Sequence, residues 1–215
     1  MAHTLMPNSP TTDSRPAAPV GLFLTPPHDH RPLDRTGQPL PNWYGIHPDH
    51  VARLIARYSR DGDTVLDLDT HPTVAGAARH LHRHPSPVVP EQWSVGLILA
   101  SLPRLGVDTR DVYALSETFD GWQTWLRPGG FLVTLLTALP GGGAAGHRST
   151  VIAAARAVGL LYHQHIPAVL VPLPEADPRT ESDPVPRPPL LAGRHVRAHR
   201  DLLVFASTSL EATHV

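Results

Sequence analysis

The chain has 215 residues, 41% of them hydrophobic, which is enough for one domain with a sizeable core. A formal net charge of -1 and a pI near 7 give no global field to draw in nucleic acid or an anionic membrane. Cysteine is absent, which excludes disulfides, thiolate metal sites and a cysteine nucleophile.

Residues 1–40 carry many prolines and few periodic apolar positions, which predicts a disordered or loosely packed arm. Met1 to Pro19 contains no apolar run of signal-peptide type, and no stretch approaches the roughly 20 apolar residues of a membrane span. A cytoplasmic protein with no membrane partner is therefore expected. Every basic residue is arginine, which a GC-rich coding bias explains without any functional need.

Val51, Leu54, Ile55 and Tyr58 recur at helical spacing, with Pro48 or Asp49 to open the helix and Gly62-Asp63 to end it. Val65 to Leu68 reads as a short buried strand, followed by a helix over about 73–83 with Thr70 or Thr73 as its cap. The run Val95 to Ala100 suits a strand covered on both faces. A helix is expected over Asp111 to Leu126, its Trp122 and Trp125 packing onto the sheet. Gly129-Gly130 then turns the chain into a strand over Phe131 to Leu136. The glycine-rich run Gly141 to Gly146 lacks the lysine and Ser/Thr of a phosphate loop and reads as a flexible connection. A helix at about 148–158, a strand at about 161–171 and a closing strand over Asp201 to Ala206 complete the folded part. The proline-rich stretch over 172–190 is too long for an ordinary connection. Alternating strands and helices predict one α/β domain over 41–208 with a mainly parallel sheet, then a tail at 209–215.

"HPDHVARLIARYSRDGDTVLDL" (47–68) resembles the segment that leads into the cofactor site of class I S-adenosylmethionine-dependent methyltransferases, most of all the DNA amino-methyltransferases. "LRPGGFLV" (126–133) is similar to the helix-to-strand turn of that superfamily, "VGLILASLPRL" (95–105) to the strand entering its catalytic motif, and "HRDLLVFA" (199–206) to its last core strand. The resemblance implies a three-layer Rossmann-like methyltransferase fold. It would place His47, Asp67, Asp69, Thr70 and Thr73 around S-adenosylmethionine. Ser101 and Pro103 would hold a target amino group, and Arg104 would stand where an aromatic residue stacks on the base.

Three features depart from that pattern. Side chains replace the glycines that let a backbone approach the cofactor in the turn Leu68 to Thr73, where Pro72 also removes a donor. The interval from Asp69 to Val95 leaves room for one helix and the short Pro85 to Val89 piece, so the sheet is expected to be trimmed on its cofactor side, with Glu91 as the remaining candidate ribose acceptor. Leu102 and Arg104 replace a proline and an aromatic residue of the catalytic motif, although arginine can stack on a base. These departures set S-adenosylmethionine binding in doubt and point to a protein with impaired or absent methyl transfer, acting as a binding or regulatory module. The alternative is an active methyltransferase acting on an amino group of DNA or RNA.

His80 and His84 have the i, i+4 spacing of helical metal ligands but no carboxylate nearby in sequence, and a solvated helix end is the simpler reading. Arg53, Arg57 and Arg60, with Arg79, Arg83, Arg194, Arg197 and Arg200, leave room for a nucleic-acid partner. A protein partner is equally open.

Overall fold

The computed structural model describes residues 19–24, 31–86, 88, 90–137, 144–170 and 199–208. The proline-rich 172–190 stretch, the 209–215 tail and the glycines at 141–143 lie outside the described residues.

In chain order the elements are α1 (Pro48–Tyr58), β1 (Thr64–Asp67), α2 (Pro72–His80), β2 (His84–Ser86), β3 (Val95–Leu102), α3 (Val112–Gln123), β4 (Leu126–Leu136), α4 (Ala144–Ala157), β5 (Leu161–Val169) and β6 (His199–Ala206). The sheet runs β2-β1-β3-β4-β6-β5. β2, β1, β3 and β4 are mutually parallel, whereas β6 is antiparallel to both β4 and β5. This is the expected three-layer Rossmann-like arrangement with a mostly parallel sheet.

Each face has its own core. Val51, Leu54 and Ile55 of α1 and Val74 and Ala78 of α2 pack on Val65, Leu97, Leu99, Val133 and Val204. Leu115 and Phe119 of α3 and Val151 and Ala155 of α4 pack on Leu66, Ile98, Ala100, Leu132 and Phe205 from the other side. β3 serves both cores, and all of its residues are buried, as a strand covered on two faces requires. Trp122 is buried in the second core and Trp125 packs against it, as their spacing predicts.

Both helices of the first layer open on a His-Pro pair. His47 and His71 are the N-caps: Nδ1 of His47 accepts from the Asp49 N–H at 3.2 Å and Nδ1 of His71 from the Thr73 N–H at 3.3 Å. Pro48 and Pro72 take the first helical position, where no N–H is needed. The caps expected at Pro48 or Asp49 and at Thr70 or Thr73 are thus supplied by the preceding imidazoles.

β2 is a three-residue edge, and no strand lies beyond it among the described residues. At the opposite edge, residues 19–24 run parallel to β5. Gly21 N–H donates to His165 at 2.8 Å, Phe23 N–H to Pro167 at 3.1 Å, and Val169 N–H to Phe23 at 2.8 Å. Phe23 stacks on His50 with ring centroids 4.7 Å apart. No described helix is long and apolar enough to cross a membrane.

Candidate functional site

β1 delivers Asp67 to the carboxyl edge of the sheet, where the chain turns into α2. Its carboxylate is folded back into that turn: Oδ1 accepts from the Asp69 N–H at 3.0 Å and Oδ2 from the His71 N–H at 2.6 Å. Only 7% of Asp67 is exposed. Burial pushes its carboxyl up to about 6, against the two backbone N–H groups and Arg104, while the Asp69 charge adds to the rise. Thr70 completes the turn in a left-handed conformation (φ 52°), its hydroxyl donating to the Asp69 carbonyl at 2.8 Å.

Asp69 points away from solvent and occupies the turn with its own side chain. Its carboxylate accepts from the Ser101 N–H at 2.8 Å and the Ser101 hydroxyl at 3.0 Å, and Nη1 of Arg104 lies 3.5 Å away. Arg104 also donates from Nη2 to the Leu68 carbonyl at 2.8 Å, with its guanidinium 5.8 Å from the centre of the Trp122 ring. The structure therefore brings Asp67, Asp69, Ser101 and Arg104 into one network. The bonds of Asp67 stay within the turn, while those of Asp69 and Arg104 join the turn to the end of β3 and the residues just after it.

The other candidates lie outside that network. Pro103 is exposed after a cis Leu102–Pro103 bond. Thr73 is buried, its hydroxyl donating to the Pro41 carbonyl at 2.5 Å. His47 caps α1. Glu91 is exposed on the connection between β2 and β3.

A cavity of about 130 Å3 remains beside Asp67, lined by Thr70, His71, Ala75, Arg79, Pro85 and Ser86. Pockets that enclose a drug-sized ligand run from about 300 Å3 upward, so this one is too small for a nucleoside. Pro85 and Ser86 had no sequence signal as lining residues, because β2 reaches Asp67 only through the crossover, and Arg79 comes from the far end of α2.

His80, His82 and His84 do not share a helical face. α2 ends at His80, His82 has a left-handed φ of 58°, and His84 belongs to β2. The i, i+4 metal geometry is therefore not formed. Several of the arginines are committed inward: Arg83 donates from Nε and Nη2 to the hydroxyl and carbonyl of Ser59 at 3.1 and 3.0 Å, and Arg200 donates to the Thr137 carbonyl at 2.9 Å. Arg194 and Arg197 lie outside the described residues.

No protein-family model matches the chain, and no curated protein does. Among solved structures the chain is similar to a geranyl diphosphate C-methyltransferase from Streptomyces coelicolor A3(2), at 14% identity over 74% of this chain and 80% of that one, with a TM-score of 0.42. It is likewise similar to the N-methyltransferase NodS from Bradyrhizobium japonicum WM9 (14% identity, 75% and 94% covered, TM-score 0.40). A third likeness is to the Haloferax volcanii complex between the Trm112 methyltransferase activator and a methyltransferase (12% identity, 79% and 99% covered, TM-score 0.41). The fold assignment itself rests on the strand order and the two helical layers.

Proposed function

We propose that this chain is a methyltransferase-like protein, related to the DNA amino-methyltransferases, whose S-adenosylmethionine-dependent activity is impaired or absent and which works as a binding or regulatory module. The observation that carries this reading is the Asp69 carboxylate, held by Ser101 and Arg104 inside the turn where a cofactor would have to approach the backbone. The residues present do not fit S-adenosylmethionine. Both Asp67 oxygens accept from the turn's own N–H groups, and the space beside them is about 130 Å3. The side chains that would present a target amine are engaged as well, since Ser101 gives its hydroxyl proton and its backbone N–H to Asp69. Opening the site would separate Asp69 from Arg104 and break both hydrogen bonds from Ser101 to Asp69.

Calorimetry and thermal shift with S-adenosylmethionine and S-adenosylhomocysteine test this. No heat and no shift at millimolar ligand is the expected result. Micromolar binding that disappears in Asp67→Ala would overturn it in favour of an active enzyme acting on an amino group of DNA or RNA.

A further inference from the structure

On the outer side of α1 and α2, away from the Asp69 network, lies a much larger cavity of about 730 Å3. Its floor is made of small residues, Ala52 of α1 and Ala75, Gly76 and Ala77 of α2. Its roof is the segment from Pro32 to Leu40, which is built to hold its own shape. Leu33 and Pro39 form an antiparallel bridge, Asp34 N–H donates to Gln38 at 2.8 Å, and Leu40 N–H donates to Pro32 at 2.9 Å. The Asp34 carboxylate is turned into that loop, accepting from the Thr36 N–H, the Thr36 hydroxyl and the Gln38 N–H at 2.8, 2.7 and 2.9 Å. Leu40 closes one end against Gly76, where an added Cβ would lie 3.4 Å from its Cδ1.

The volume lies within the ~300–1,000 Å3 of small-molecule sites, and such sites combine an apolar lining with a few placed polar groups. Here two of those groups are guanidinium cations. Arg35 from the roof, and Arg79 and His80 from the last turn of α2, line the same cavity. Neither guanidinium is hydrogen-bonded or ion-paired among the described residues. The one acidic residue in the lining, Asp34, spends its Oδ1 on the loop's own donors. A guanidinium without an acid partner beside an apolar trough favours a ligand with an oxyanion at one end, and a carboxylate is the form it can bind through two parallel hydrogen bonds with a single charge to desolvate.

We propose that this groove binds a long-chain aliphatic carboxylate, its chain laid over Ala52, Gly76 and Leu33 and its head between Arg35 and Arg79. The groove shares Ala75 and Arg79 with the small cavity beside Asp67 but none of the hydrogen bonds of Asp67, Asp69 and Ser101, so binding of the acid is measured with no S-adenosylmethionine present and is expected whichever way that titration falls.

The test is fluorescence titration of the full chain with cis-parinaric acid and, as the uncharged comparison, its methyl ester. Saturable binding of the acid is expected, weakened about tenfold or more in Arg35→Ala/Arg79→Ala, as loss of charge-assisted hydrogen bonds implies. The ester is expected to bind the double variant and the parent alike. Gly76→Leu, which fills the trough, is expected to abolish binding of both. Both arginines are on the surface, so the double variant keeps the test decisive even if Gly76→Leu does not fold. The proposal is overturned if the parent binds the acid no tighter than millimolar, if the double variant binds it as the parent does, or if a folded Gly76→Leu still binds.

Discussion

At the end of β1 the Asp67 carboxylate accepts two backbone hydrogen bonds while almost out of reach of water, and burial dominates the balance, raising its carboxyl to about 6. A carboxyl raised on folding favours the folded state below its unfolded value of 3.8, and that contribution disappears as the pH climbs through about 6. Its neighbour His71 runs the other way. Burial depresses the imidazole, Asp69 opposing, so its contribution is present above the unfolded value of 6.5 and is lost as the pH falls. A protonated His71 would also surrender Nδ1 as the acceptor that caps α2. The stability difference between Asp67→Asn and the parent isolates the first effect. In urea unfolding the variant should gain on the parent between pH 4 and pH 7.5, by at most about 3 kcal/mol. A difference that is flat with pH would show that Asp67 is ionised throughout. The two imidazole caps were not legible from sequence, since Ser, Thr, Asp and Asn are the usual helix openers. The repeated His-Pro pair was the available signal.

Among the elements, the junction of β1, β3 and β4 depends on one missing side chain. A Cβ on Gly96 would stand 2.4 Å from Oδ2 of Asp63. That carboxylate accepts from Nε and Nη2 of Arg127 at 3.1 and 2.8 Å and from the Arg60 N–H at 2.7 Å. Gly96→Ala must therefore expel Asp63 from a partly buried ion pair, with an expected loss of about 3 kcal/mol in chemical unfolding. Burial raises the Asp63 carboxyl, but its bonds to Arg127 and Arg60 outweigh this and hold it below the usual value. The stability it supplies is therefore present above about pH 4 and lost on acidification, so Gly96→Ala should also flatten the acid limb of the stability curve. Unchanged unfolding in the alanine variant would show that the Asp63–Arg127 pair contributes nothing. Periodicity located β3 and α3 well, because both bury continuous or helical apolar patterns. β4 begins at Leu126 rather than Phe131 because Leu126 pairs with Val95 ahead of an irregularity that Pro128 and Gly129 introduce. The network joining Asp69 to Ser101 was not legible, since those residues are 32 positions apart and meet only through the crossover of β1 and β3.

At the scale of the whole molecule the sheet is asymmetric at its two margins. β2 ends one margin in three residues, and the other is sealed by residues 19–24 lying along β5. This strand was hidden in a proline-rich region whose composition reads as an arm, and its partner is remote in sequence. On one face Phe23 joins the first core, while Val20 (70% exposed), Leu22 and Leu24 face outward. A chain lacking residues 1–24 should lose the burial of Phe23, about 2 kcal/mol, and leave the outer edge of β5 unpaired over residues 165–169, its other edge still held by β6. Light scattering should then report association that grows with concentration, and the melting temperature should fall. A shortened chain that stays monomeric and melts like the parent would show that the arm contributes nothing to the edge.

The same pairing sets an order of events during synthesis. Val20 meets His165, a residue added 145 positions later, which at ribosomal rates of roughly 5–20 residues per second is a wait of about 7–30 seconds. Throughout that interval the segment from Val20 to Leu24 has no strand to pair with, although the His50 ring that Phe23 stacks on is made early. Contacts of such long range are slow to form because loop closure precedes any gain. The earliest-made of the described segments thus finds its strand partner only after most of the chain has been made.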